Sequence, residues 1–411
     1  MKQQVQKNPQ LRFSEFNDEW NDEKLGMNAT FLKGKGISKS DIVEDGKNSC
    51  IRYGELYTEY NEVITKDKIV SKTNVEIKKS KLSIENDVLI PSSGETHLDI
   101  ATASCIKVSG VILGGDLNVI RSNYNGVFLA YYLNSNKKKQ IAQLAQGNSV
   151  VHLYNKNLSS LSLNIPSEQE QQKIASFLQQ VDQKIDLLSQ KITALETYKK
   201  GLMQKLFSQE IRFKQDDGSD FSDWEEKQLG KIFLDRKGKG ISKSKITNDG
   251  IHDCILYGEL YTRYNEVITE VHSKTNTNEG IPSKIGDLLI PSSTTTTGID
   301  LANVTALNKP EVRLGGDIII LRSKKAINNI FYSYYLSNYK KKAIASRAQG
   351  ITIVHLYFSG IKDLFIHYPC LEEQTKLANF LIAIDDKINQ TQQQLQQTRT
   401  FKKGLLQQIF V

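Results

Sequence analysis

The sequence predicts an α/β (α+β) protein: two similar mixed α/β globules separated by two long antiparallel helices that form a coiled coil, the whole a pseudo-twofold tandem repeat. Three observations predict it. An apolar period of alternating threes and fours runs from Leu178 to Leu206, the period of a paired helix rather than of a lone surface helix. The same pattern returns at the C-terminus, with Phe177 and Phe380, and Asp182 and Asp385, each 203 positions apart. Outside the helices, whole blocks of sequence ahead of the first helix recur between the two at nearly the same offset.

The first helical stretch carries Leu178, Val181, Ile185, Leu188, Ile192, Leu195, Leu202 and Leu206 in its seam, and one position breaks the rule, Lys199. Pro166, Ser167 and Glu170 mark its start as a capping box, in which serine and glutamate each satisfy the other's backbone N–H. Such a helix is roughly 60 Å long at 1.5 Å per residue, and it cannot bury its seam alone. The second stretch supplies a partner with a more polar seam, Thr391 and Thr398 replacing Leu188 and Leu195, and a weaker cap, Cys370 in place of Ser167.

Outside the helices GKGISKS recurs unchanged at 34–40 and 238–244, and YGELYT(E/R)YNEVIT at 53–65 and 257–269, differing only at Glu59 and Arg263. SKTN, LIPSS, LGGD, AQG and VHLY each occur twice in the same order, and Arg12-Phe13 and Trp20 match Arg212-Phe213 and Trp224. The expected divisions are an N-terminal segment 1–20, a first globule 21–165, a central helix 166–208, a second globule 209–368 and a C-terminal helix 369–411. Within a globule, CIRYGELY, DVLIPSS, CIKVSGVILGGDLNVIR and VVHLY read as β-like runs, and GVFLAYYLNSNKKKQIAQLAQ reads as one helix. The lysine run 137–139, echoed at 340–342, suits either a solvated face or a phosphate-contacting patch.

Composition narrows the function. A net charge of +8 leans towards an anionic partner. No apolar run is long enough to span a membrane, and MKQQVQKNPQ carries no apolar secretion segment, so a cytoplasmic protein is expected. Cys50, Cys105, Cys254 and Cys370 form no CxxC pair and read as reduced, partly buried thiols. GKGISKS is not a phosphate-cradling loop, because Ser38 and Ser242 stand where a glycine must precede the lysine. The sequence holds no GxGxxG, no NPPY-like tetrapeptide for a flipped adenine, and no carboxylate set suggesting a nuclease metal. His152 and His355 lie in a β-like run and suit structure better than catalysis. What remains suits DNA recognition, with Lys, Ser and Gly loops on phosphates and polar side chains on base edges. A twofold coiled-coil protein adaptor without DNA specificity has the same outline.

The helix blocks narrow this further. IPSEQEQQKIASFLQQVDQKI followed by KKGLMQKLF, and PCLEEQTKLANFLIAIDDKI followed by KKGLLQQIF, resemble the specificity (S) subunit of type I restriction–modification enzymes. The LIPSS, GGD and AQG…VHLY blocks resemble those of its target-recognition domains, so the likeness covers essentially the whole chain. One departure is that Glu372-Glu373-Gln374 stands where the first copy has Glu168-Gln169-Glu170-Gln171. The resemblance implies a subunit with no catalysis of its own, bound to double-stranded DNA with a split target. Each globule reads one half, the helices set the spacing, and two modification (methyltransferase) subunits dock. S-adenosylmethionine then belongs to the modification subunits, and ATP and magnesium to restriction subunits that join them. No cofactor, metal or catalytic residue is expected in this chain.

The near-identity of the two copies predicts similar half-sites, read in inverted orientation, whose differences concentrate where the copies differ, at Glu59 against Arg263 and Gly94-Glu95-Thr96 against Thr294 to Thr297, unless the shared blocks serve only the fold and specificity sits in the divergent loops. For DNA contacts the expected residues are Lys35, Lys39, Tyr53, Glu55, Tyr57, Ser92 and Ser93, with Lys239, Lys243, Tyr257, Glu259, Tyr261, Ser292 and Ser293 in the second copy.

Overall fold

The structure, a computed structural model, describes residues 8–76 and 81–411. The first seven residues of the expected N-terminal segment, and 77–80 of the first globule, lie outside the described residues. The chain divides into two units, 1–189 with 393–411 and 190–392. Both division points fall inside long helices, Glu168–Phe207 and Leu371–Gln408. Each unit therefore holds one globule, the first half of one long helix and the last half of the other.

In the first unit Ala29–Lys33, Leu117–Ser122, Val88–Pro91, Ser104–Ile106 and Val63–Ile64 lie side by side in a five-stranded sheet. All pairs are antiparallel except the last, where Val63 faces Cys105 in parallel. The run Val88-Leu89-Ile90-Pro91 is buried throughout because both faces of the sheet are covered. Val88 and Ile90 face a core built on the helix Gly126–Ser135, together with Ile174, Leu178 and Val181 of the central helix and Leu405, Ile409 and Phe410 of the C-terminal one. Leu89, Leu117 and Val119 face a second core with Ile51, Leu56, Tyr60 and Leu113. That second layer carries a small sheet in which Asn48–Ile51 pairs with Ser71–Thr73 and Ile112–Leu113.

The second unit repeats the plan. Phe233–Lys237, Ile318–Ser323, Asp287–Pro291, Thr305–Leu307 and Val267–Ile268 form its central sheet. Leu288 and Ile290 face the helical core, and Leu289, Ile318 and Ile320 face the outer one.

In the first long helix the seam is buried at Leu178, Val181 and Leu206 and half-buried at Ile185, Leu188, Ile192, Leu195 and Leu202. In the second unit Leu381 is fully buried, and Ile384 and Ile388 are nearly so. Thr391, 2 % exposed, returns its hydroxyl to the Lys387 carbonyl one turn back, which is how a polar residue sits in a seam without an unsatisfied group. In the first unit Thr398 does the same to Gln394.

Three local expectations are corrected. YGELYT is not strand: Asn48–Ile51 ends before it, and Glu55–Thr58 and Glu259–Thr262 are helical turns. The glutamate side chain forces the turn by accepting from the backbone N–H three residues earlier, at Arg52 and at Leu256. The single helix expected over 126–146 is two, Gly126–Ser135 and Lys138–Leu144. The break lies at Lys137, which is buried with its ammonium 5.3 Å from the Tyr132 ring, so this lysine is neither solvated nor free for phosphate. The capping box at Ser167 is only half formed. Glu170 donates its N–H to Ser167 Oγ at 3.4 Å, but its carboxylate is bound elsewhere.

Candidate nucleic-acid interface

The repeated loops come together because glycine allows it. A Cβ on Gly34 would lie 1.9 Å from the Gly114 carbonyl oxygen, and one on Gly238 the same distance from that of Gly315. The GKGIS loop thus packs backbone to backbone on the LGGD turn in each unit, with Lys35 N–H bonded to Leu113 and Lys239 N–H to Leu314. The aspartates of that turn hold left-handed backbone, φ 55 at Asp116 and 57 at Asp317. Their carbonyls accept from Ser92 and Ser292 N–H at 2.7 and 2.8 Å.

In the second unit these loops enclose an open cleft of about 1050 Å³ lined by Lys243, Lys245, Tyr257, Glu259, Arg263 and Asp317, among others. Ile241 lines it with φ 41, a conformation β-branched residues rarely adopt. Holding it costs about 1–3 kcal/mol, and strain of that size collects at functional sites.

The expected contact residues separate into two groups. Lys35, Lys39, Lys239 and Lys243 are exposed, and Tyr53, Tyr57, Tyr257 and Tyr261 half-buried. Burial pushes the Tyr57 hydroxyl above its ordinary pKa. Glu55 and the four serines are internal, and Glu259 is half-buried at the cleft. Glu55 is 3 % exposed and its carboxylate accepts from Arg52 N–H, Arg52 Nε at 2.8 Å and Ser71 Oγ at 2.6 Å. Glu259 accepts from Leu256 N–H, Ser273 Oγ at 2.7 Å and Arg263 at 3.3 Å. Ser92, Ser93, Ser292 and Ser293 are buried, and Ser93 Oγ lies 3.2 Å from His152 Nδ1, anchoring the VHLY segment. His152 is stacked on Tyr154, and His355 on Tyr357. Among the described residues no group of three or more His, Cys, Asp or Glu side chains is placed to hold a metal, and no helix is long and apolar enough to cross a membrane.

Two networks tie each globule to the helices. The lysine that breaks the seam explains itself: Lys199 Nζ lies 2.7 Å from Asp385 and 3.4 Å from Glu266, over the Tyr334 ring. Lys402 does the same in the first unit, 2.8 Å from Asp182 and 3.1 Å from Glu62, over Tyr131. Glu62 and Glu266 belong to the YNEVIT segment that follows the YGELYT turn. Tyr131 and Tyr334 donate their hydroxyls to Asp182 and Asp385. At the other network Arg12 grips Glu170 with two bonds of 2.7 and 2.8 Å, joined by the Trp20 indole N–H at 3.3 Å. Arg212, Glu373 and Trp224 repeat it.

Despite the sequence departure at the start of the C-terminal helix, Gln171 and Gln374 play one role: each donates to the preceding proline carbonyl and accepts from the N–H of Asn125 or Asn328. Sequence reading noted these residues but not their partners. The signal was present, since Glu62, Asp182 and Lys402 recur together as Glu266, Asp385 and Lys199.

The family model for the type I restriction modification DNA specificity domain matches the chain twice, over residues 17–197 and 221–398. The MjaVIII type I restriction enzyme specificity subunit of Methanocaldococcus jannaschii is 24% identical over 405 residues, 95% of this chain and 91% of that protein. The putative MjaX specificity subunit of the same organism is 25% identical over 395 residues, 91% and 85% of the two chains. In fold, the chain is similar to the S subunit of a type I restriction–modification system from M. genitalium, with a TM-score of 0.62 at 17% identity over 98% of this chain and 99% of that one.

Proposed function

The chain belongs to the family of type I restriction–modification DNA specificity subunits, and on that premise we propose that it is the DNA-recognition component of such a complex. Each unit reads one half of a split double-stranded target. The observation that carries this is the doubled family match coinciding with doubled loops, in which one glycine-packed frame presents exposed lysines beside half-buried tyrosines. Lys35, Lys39, Lys239 and Lys243 contact phosphates, and the tyrosines approach the bases. Glu55, Glu259 and the four serines hold the loops in shape.

The chain performs no chemistry. It docks two modification subunits, which bring S-adenosylmethionine, and restriction subunits join with ATP and magnesium. The length of the two long helices sets the gap between the half-sites. The test is a methylation map of a host that lacks other methylases and expresses this chain with its modification subunit. A two-part adenine-methylated motif is the expected result. A stable complex with no methylation anywhere overturns the proposal in favour of a protein adaptor.

A further inference from the structure

The two copies of YGELYT hold one carboxylate in the same place and neutralise it from opposite sides. In the first unit the cation is Arg52, three residues before Glu55, and position 59 is an exposed glutamate. In the second unit position 256 is leucine, and the cation is Arg263, four residues after Glu259, at the position equivalent to Glu59. The backbone is the same at both, Glu59 N–H bonding to Glu55 at 2.9 Å and Arg263 N–H to Glu259 at 3.0 Å.

A carboxylate this enclosed needs a partner, because an unpaired buried charge is strongly destabilising. The exchange is therefore compensated within each copy: removing Arg52 without supplying an arginine at 59 would strand Glu55. Compensation preserves the frame while changing what it displays. Arg263 lines the cleft with its side chain half exposed, and only one of its five N–H donors is committed to Glu259. The first unit presents a carboxylate at that place. Asp41 against Lys245 alters the charge of the same loops in the same sense.

An arginine offers donors to guanine O6 and N7, and a glutamate accepts from the cytosine amino group. We propose that the two half-sites are near-copies that differ at the base pair met by this exchange, with Glu59 selecting cytosine in the first half and Arg263 guanine in the second. The proposal rests on the reading of the chain as a DNA-recognition subunit.

The experiment is the methylation map of the wild-type chain with its modification subunit, followed by maps of two variants. The wild type should give two half-sites sharing their bases except at one cytosine-for-guanine position. Arg52→Leu with Glu59→Arg moves the cation as the second unit has it and should turn that cytosine into guanine, with roughly ten- to a hundred-fold preference. Glu59→Arg alone changes an exposed residue and leaves the Arg52–Glu55 pair intact, so folding is not at issue. It should abolish the preference for cytosine at that one position. Two unrelated wild-type half-sites overturn the proposal, as does a motif unchanged by Glu59→Arg, and both leave the recognition role standing. No methylation by the wild-type complex overturns the role and the proposal together.

Discussion

Replacing Lys402 by methionine should loosen the first unit by a predictable amount. Among the described residues the ammonium is the only cation bonded to Asp182 and Glu62, and the side chains of Lys402, Asp182 and Glu62 are 17 %, 27 % and 16 % exposed. Breaking a fully buried pair costs about 3–5 kcal/mol, and an exposed one about 0.2–1 kcal/mol. This triad is nearer the buried limit, and Tyr131 still donates to Asp182, so a loss of about 2–3 kcal/mol is expected.

The chain's two tryptophans make the assay specific, since Trp20 lies in the first unit's core and Trp224 packs against the second's. In a Trp224→Phe background, urea unfolding followed by Trp20 fluorescence reports on the first unit. With a slope of about 2–3 kcal/mol/M the midpoint should fall by about 1 M. Adding Glu62→Gln and Asp182→Asn removes the stranded charges and should restore more than half of the loss. An unchanged midpoint, or three losses that simply add, would refute the reasoning. The pH sign follows from the raised pKa of Lys402: burial pulls it down, but Glu62 and Asp182 more than offset that. A cation whose pKa rises on folding stabilises fully below its unfolded value of about 10.4. The difference between wild type and variant should therefore persist through neutral pH and vanish only as pH climbs past the folded value.

Glu373→Gln should destabilise the second unit by about 2–4 kcal/mol, because Arg212 loses its bidentate partner inside the fold; the Trp224 emission midpoint in urea measures it in a Trp20→Phe background. Lys39→Ala should weaken DNA binding alike on all sequences and lower the slope of log affinity against log salt by about 0.9, as one lost phosphate contact does. Burial pushes the Cys50 and Cys254 thiols up to about 11 and Cys105 up to about 12, so in the native protein at pH 8 iodoacetamide should label Cys370 alone, and mass spectrometry of the peptides would show any other modified thiol.

What the sequence determined by itself was everything that repeats. Period along the helices, and offset between copies, are properties of order in the chain, so the long helices, the tandem plan and the family likeness were all legible before any coordinates. Lys199 stood out because it violated a period. The tertiary structure alone decided what each side chain is for, since that depends on neighbours far away in sequence. Glu55 looked like a polar group ready for a base, yet it lies against Ser71 and Arg52 and is buried. Lys137 looked like part of a solvated run, yet it lies under Tyr132. YGELYT alternates well enough for a strand, and its own glutamate side chain turns it into helix. The exchange of Arg52 for Arg263 was visible as two substitutions. That they compensate one another became clear only when the two arginines were found on equivalent carboxylates, Arg52 on Glu55 and Arg263 on Glu259, because spacings of three and four permit such a pair in a helical turn and only the fold shows which one forms.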